Sequence, residues 1–279
     1  MPAGLTRHDL GERMPADEHA IMTPVLVFDI ETVPDTDGIR KLLSLPPQMP
    51  ASEVADIAFA HRREKTGNDF LPLHLHRVAA IACALRDRDS FKVWSLGEPG
   101  DPEPVLLQRF FDGIDRYTPQ LVSWNGGGFD LPVLHYRAMI HGIHAARYWD
   151  MGEDDRDFKW NNYISRYHSR HLDLMDLLSL YQGRASAPLD DLAQLLGLPG
   201  KLGVGGAKVW ETYQRGELKA IRDYCEIDVA NTYLIFLRFQ LMRGALDQAQ
   251  HRREVELVRG VVSRSKEAHW KQFLDSWEA

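Results

Sequence analysis

Apolar residues in this chain fall into short runs that stop at polar residues and into longer stretches with helical spacing. Val25 to Asp29 (VLVFD) is an apolar run of strand length; Glu31 follows Asp29 by two positions, so the strand period puts both carboxylates on one side of a sheet. RVAAIACAL (77–85) and FKVWSL (91–96), separated by RDRDS, predict a hairpin. QLVSW (120–124) predicts a short strand, IHGIHAARYWD (140–150) an edge strand, and HLDL (171–174) a further strand end. Helical spacing predicts helices over 103–117, from Phe129 through Met139, from Asp176 over DLLSLY, and over 188–196 up to Gly197 and Pro199. The glycine-containing stretch KLGVGGAKVWETYQRG leads into another helix, a long one spans 217–240, and two more follow in 241–279. The connection from Pro34 to His76 is too long for a turn. With a Pro-rich centre at 45–50 and a short helix over 52–64, it is expected to cover a site.

With 279 residues, 44% of them hydrophobic, the chain can build one α/β domain with an appendage. Residues 1–21, polar and broken by Gly and Pro, read as a flexible N-terminal extension. No apolar run is long enough to span a membrane and the first residues lack a secretory pattern, so no membrane role is expected. Only two cysteines occur, Cys83 in a strand and Cys225 in a helix, as buried thiols of a reducing compartment would; a cytoplasmic protein is the expectation. A net charge of -7 argues against a general basic coat for duplex nucleic acid, and leaves room for an enzyme whose acids line a metal-binding cleft.

Nothing local supplies a base to neutralise Asp29 and Glu31. Either a divalent cation is their partner or they begin a solvated loop. Asn125-Gly126-Gly127-Gly128 lies between a strand and a helix, where glycines permit unusual dihedrals and close approaches. It fits neither GxGxxG nor GxxxxGK[ST], and Asp130 at the helix start is either an N-cap or a metal-site carboxylate. Tyr224 and Asp228, four apart on the long helix, lie over one patch, beside a buried stripe of Ile221, Cys225, Val229 and Thr232. Taken alone, Asp228 could pair with Arg222 and Tyr224 could simply pack. The segment 151–170 mixes Trp160, Tyr163 and Tyr167 with Arg156, Lys159, Arg166 and Arg170: a candidate nucleic-acid groove or an ordinary solvated loop.

Taken in order, DIET (29–32), NGGGFD (125–130) and YCEID (224–228) resemble the three exonuclease motifs of the DEDD superfamily, and Tyr224 ahead of Asp228 resembles its DEDDy branch. The contexts LPLHLHRVAAI (71–81), SWNGGGFDLP (123–132), RHLDLMDLLS (170–179) and YCEIDVANTY (224–233) are similar to predicted exonucleases related to the proofreading 3'-5' exonuclease domain of family B DNA polymerases. The likeness covers most of 24–240. It implies an α/β, ribonuclease H-like fold, with a mixed central β-sheet, its second strand antiparallel, and helices on both faces. The exonuclease domain would span 22–240 and the helices of 241–279 would pack on its core. The resemblance further implies two Mg2+ or Mn2+ ions held by Asp29, Glu31, Asp130 and Asp228, with Tyr224 positioning the attacking water. Thr32, Trp124, Asn125 and Phe129 become candidate contacts to the terminal nucleotide. The expected substrate is the 3' end of single-stranded or frayed DNA, with RNA as the alternative, and the chain would act free-standing or beside a DNA polymerase or repair partner. An inactive nucleic-acid-binding or partner-binding protein is the other alternative, against which the intact acids count. GVGG (203–206) has no acid where the family often carries one, so loop details there are expected to differ.

Overall fold

The computed structural model describes residues 23–202 and 205–277; the N-terminal extension lies outside the described residues, as does part of GVGG. In chain order the elements are β1 (Val25–Pro34), α1 (Thr36–Leu42), α2 (Ala51–Thr66), β2 (His76–Asp87), β3 (Ser90–Ser95), α3 (Glu103–Tyr117), β4 (Gln120–Ser123), α4 (Asp130–His141) and α5 (Ala146–Trp149). They continue with β5 (His171–Asp173), α6 (Leu174–Leu178), α7 (Leu189–Leu195), α8 (Val209–Gln214), α9 (Leu218–Met242), α10 (Gln248–Val262) and α11 (Ala268–Asp275).

The five strands form one mixed sheet in the order β3-β2-β1-β4-β5, antiparallel between β1, β2 and β3 and parallel between β1, β4 and β5. This is the ribonuclease H-like arrangement. Alternation along β1 builds the two cores. Val25 and Val27 face α9, while Leu26, Phe28 and Ile30 face α3 and α4. The α9 helix is buried on nearly all sides, which explains its long apolar run: the sheet lies on one side and α10 and α11 cover the other.

Two expectations change. β1 does not stop at Asp29; it pairs with β2 as far as Pro34↔His76, through a register shift between Glu31 and Thr32. Backbone pairing carries the strand past its own apolar run, so the two acids are strand residues rather than the start of a loop. The stretch 140–150 is no edge strand. α4 runs on to His141, Gly142 caps it in the left-handed region (φ 65°), and α5 follows, burying Tyr148 against Phe111.

The long connection holds α1 as well as α2, and a buried ion-pair network ties it down. Arg137 of α4 reaches Asp35, the N-cap of α1, and Glu103 of α3. Glu103 also accepts the Val78 backbone N–H at 2.7 Å. No helix among the described residues is long and apolar enough to cross a membrane.

Candidate active site

The site lies where β1 outruns its parallel neighbour. β4 pairs with β1 only over Val25–Val27 and ends at Ser123, so among the described residues the β1 edge beyond it has no strand partner on that side. Asp130, the first residue of α4, fills that gap: its Oδ1 accepts the Ile30 backbone N–H at 3.0 Å. It is therefore not the N-cap of α4; Phe129 occupies that position, without a side-chain cap. Period-two alternation places Asp29 and Glu31 in line with Val25 and Val27, on the α9 face, and there α9 supplies Tyr224, Cys225 and Asp228. A cavity of about 430 Å³ is lined by Asp29, Asp130, Asp228, Trp124, Asn125 and Phe129, with Lys201 on its rim.

The electrostatics are those of acids crowded away from water. Burial raises Asp29 well above the ordinary carboxylate range, helped by Asp130, Glu31 and Asp228; burial likewise raises Glu31, with Asp228 and Asp130 adding to it. Asp130 is pushed up to about 7 by burial, against the N–H of Ile30, and Asp228 to about 6 by burial, against the Tyr224 hydroxyl. Both rises come first from holding the carboxyls away from water.

Among the described residues, Oδ1 of Asp228 is buried without a hydrogen-bond partner. An orphaned oxygen beside three more carboxylates is a donor set suited to hard divalent cations, which take oxygen ligands. Cys225 Sγ lies within 4.8 Å of Asp29 and Glu31 ligand atoms, but a thiol is a soft donor that hard cations such as Mg2+ disfavour. Burial and then Asp29 and Glu31 push its thiol up, so it stays protonated and donates to the Asp29 carbonyl at 3.3 Å. Burial, then Asp228 and Glu31, also raise the Tyr224 hydroxyl, which is a neutral donor to Asp228. Arg222 is not the partner of Asp228; it caps the backbone carbonyls of Ser95, Leu96 and Gly97. A second acidic group, Asp223, Glu267 and His269, already holds a cation, for Lys219 Nζ sits 2.7 Å from Asp223 and 2.8 Å from Glu267.

The NGGG turn works by space more than by dihedral. Asn125 carries the left-handed backbone (φ 64°), which asparagine tolerates, and the glycines are needed for close approach. A Cβ on Gly126 would run into the Ser123 side chain, and one on Gly128 into Asn125 Oδ1. Asp173 at the end of β5 holds the turn, accepting the Asn125 N–H at 2.9 Å and the Gly127 N–H at 2.8 Å.

Asp29, Glu31, Asp130, Tyr224 and Asp228 thus come together, with Trp124, Asn125 and Phe129 around them. Thr32 lies on the other face of β1, hydrogen-bonded to His76. Tyr163 and Arg170 do not line the carboxylate cavity, although Arg170 borders a separate one with Gln120, Asn161 and Ser169. Tyr163 is buried with its hydroxyl on the Pro119 carbonyl, and Arg170 lies over the Phe158 ring at 4.0 Å, with Nε on the Asn161 carbonyl. Both brace the chain where β4 and β5 begin, at the end of these strands away from the carboxylates. Trp160 and Tyr167 are exposed.

Two residues of the site carry no local signal. Asp173 acts on a turn 46 to 48 residues away. Lys201 has its ammonium 5.8 Å from the Tyr224 ring centre and lowers the pKa of both Glu31 and Asp228. Its backbone N–H is held by Asp190 Oδ1 at 2.6 Å.

A family model described as a predicted 3'-5' exonuclease related to the exonuclease domain of PolB matches residues 68–277. That span includes Asp130, Tyr224, Asp228 and Lys201; Asp29 and Glu31 precede it. Among solved structures, the family B DNA polymerase of the hyperthermophilic archaeon Pyrobaculum calidifontis matches with a TM-score of 0.46 and 18% identity. The match covers 79% of this chain and 24% of the polymerase, so the chain spans about a quarter of that protein. No curated protein matches the chain.

Proposed function

We propose, for a chain that belongs to the family of predicted 3'-5' exonucleases related to the exonuclease domain of PolB, that it removes nucleotides singly from the 3' end of single-stranded or frayed DNA. The observation that carries this reading is the convergence of Asp29, Glu31, Asp130 and Asp228, each with a raised pKa, on one edge of the sheet. Such a site binds a substrate anion poorly by itself and suits metal-assisted phosphodiester hydrolysis.

Asp29, Glu31 and Asp228 would hold one Mg2+ or Mn2+, and Asp29 and Asp130 a second; when bound, these supply a water of lowered pKa and charge for the leaving oxygen. The remaining work falls to this chain's own groups. The Tyr224 hydroxyl, fixed on Asp228 and protonated, orients the attacking water through its free lone pair rather than acting as a base. Lys201 brings the positive charge that a phosphate approaching four carboxylates needs, and keeps Glu31 and Asp228 closer to ionised. The ring of Phe129 and the edge of Trp124 offer apolar surface for the terminal base, and Asn125 a polar group for its sugar or phosphate.

Time-resolved digestion of 5'-labelled and 3'-labelled single strands, DNA and RNA in parallel, with Mg2+, Mn2+ or chelator, tests the reading. Mononucleotides should leave the 3' end only when metal is present, and a closed single-stranded circle should survive. Cleavage of the circle by pure protein rejects the exonuclease reading. Faster turnover of RNA would reassign the substrate.

A further inference from the structure

At the end of β1 and β4 away from the carboxylates lies a second cavity, of about 310 Å³. Val25 and Gln120, the first residues of those strands, line it together with Phe236 and Gln240 from the C-terminal half of α9. The chain carries 40 acidic residues against 33 basic ones, yet among the described residues this lining holds two arginines, Arg170 and Arg243, and no carboxylate. Its charge is the opposite of the carboxylate cavity's.

Among the described residues neither guanidinium is paired with an acid. Arg170 places Nε on the Asn161 carbonyl at 2.6 Å and Arg243 places Nε on Gln240 Oε1 at 2.7 Å, so each is anchored through one nitrogen and keeps N–H groups on the others. That contact also orients the Gln240 amide. An N–H needs an acceptor, so Oε1 is the atom that meets Arg243, and Nε2 keeps two hydrogens with no partner among the described residues. Gln240 is only 7% exposed, so these unmet donors are nearly buried at the cavity wall. Asn161 is fixed in the same sense, its Oδ1 accepting the Arg170 backbone N–H at 2.9 Å. Gln120 is reversed: its Nε2 donates to the Ser169 carbonyl at 2.7 Å, which leaves Oε1 as an acceptor.

Two guanidinium groups and two amide N–H pairs suit an oxyanion with several acceptor oxygens. The Gln120 acceptor and the apolar side chains of Phe236 and Leu246 suit an organic body attached to it, one that carries hydroxyl or amino hydrogens. We propose that this cavity binds the phosphate monoester of a small organic molecule, a nucleoside 5'-monophosphate, with the phosphate on Arg170 and Arg243 and the nucleoside against α9. Its chemistry is the same whether or not the carboxylates cut a strand.

Titration calorimetry of the full chain in chelator reads this site alone, since without metal the four carboxylates repel a phosphate. The probes are deoxyadenosine 5'-monophosphate, deoxyribose 5-phosphate and inorganic phosphate. The nucleotide should bind roughly tenfold tighter than the other two, because only its base brings apolar surface to the wall. Arg243→Gln, a change at an exposed position, removes one charged donor group and should weaken the nucleotide roughly 10- to 100-fold. Gln240→Glu keeps an acceptor for Arg243 and turns the N–H pair into a repelling oxygen, so it should abolish binding; Arg170→Gln should weaken it as Arg243→Gln does. Circular dichroism checks each fold, and should Arg170→Gln or Gln240→Glu fail to fold, Arg243→Gln decides alone. No binding of the nucleotide at millimolar concentration overturns the assignment, as does undiminished affinity in Arg243→Gln. Inorganic phosphate or the sugar phosphate binding as tightly as the nucleotide overturns it too, for the cavity would then take the anion without the nucleoside.

Discussion

The Asp130 carboxylate accepts the backbone N–H of Ile30 at 3.0 Å, midway in the chain between Asp29 and Glu31. One acid therefore completes the sheet edge and joins the charge cluster, so its two functions can be separated. Asp130→Asn keeps an acceptor for Ile30 and removes the charge; it should fold with near-parental stability while metal-dependent turnover falls by at least 100-fold. Asp130→Ala also orphans a buried N–H and should lose about 1–3 kcal/mol in urea unfolding. Equal stability of the two variants would show that the Ile30 contact contributes nothing.

The same crowding predicts how the metal-free protein responds to pH. Asp228 and Asp130 have ordinary values of 3.8 and are raised by burial to about 6 and about 7, so between those limits the native chain binds more protons than the unfolded chain. Stability then falls as pH rises through this window, the reverse of an ion-paired carboxylate. In chelator, Tm should drop from pH 4 to pH 7.5 by more in wild type than in Asp228→Asn, and Mg2+ or Mn2+ should restore it at the upper end. A wild-type profile parallel to the variant's would fail this expectation.

What the sequence made legible followed from local pattern. The apolar run at Val25, the hairpin, the helix over Glu103–Tyr117 and the long helix carrying Tyr224 and Asp228 stand where periodicity puts them, since each buries a continuous face. The stretch 140–150 misled because its alternating apolar residues serve different purposes. Ile140 is exposed at the end of α4, while Tyr148 is buried beneath α3. Asp173 and Lys201 were invisible for another reason. Each is a single polar residue whose partners lie far along the chain, and only the pairing of β4 with β5 and the return of the chain past α7 bring them to the site.

The NGGG turn gives a graded expectation. A methyl at Gly126 meets the Ser123 side chain, which is itself hydrogen-bonded to His171 at 2.8 Å and cannot move freely; at Gly127 the nearest atom is Asp173 Oδ2 at 3.2 Å. Gly126→Ala should cost about 1–3 kcal/mol through overpacking, and Gly127→Ala distinctly less. Turnover should follow the same order, since this turn carries Asn125. Chemical denaturation and single-turnover assays on the two variants read both scales, and a reversed order counts against the close-approach account.

Tyr224 offers the sharpest separation between packing and chemistry. Its ring is buried on α9 and its hydroxyl is tied to Asp228, one helical turn on, so Tyr224→Phe keeps the ring and deletes only the oxygen. Because burial and the neighbouring carboxylates raise that hydroxyl, it does not ionise in the working pH range, and its loss should remove no limb from the pH–rate profile. Instead the rate should fall evenly across pH, by roughly 10- to 1000-fold if orienting the nucleophile contributes a few kcal/mol to the transition state. Losing this donor also removes the hydrogen bond that lowers Asp228, so that carboxyl should titrate higher than its present value of about 6, and the metal-binding curve should move to higher pH. A tyrosine that only fills space predicts neither change. Single-turnover cleavage at saturating metal, run beside Mn2+ binding across pH, distinguishes these outcomes. A rate within twofold of the parent at every pH removes Tyr224 from the reacting groups and leaves the four carboxylates to carry the chemistry.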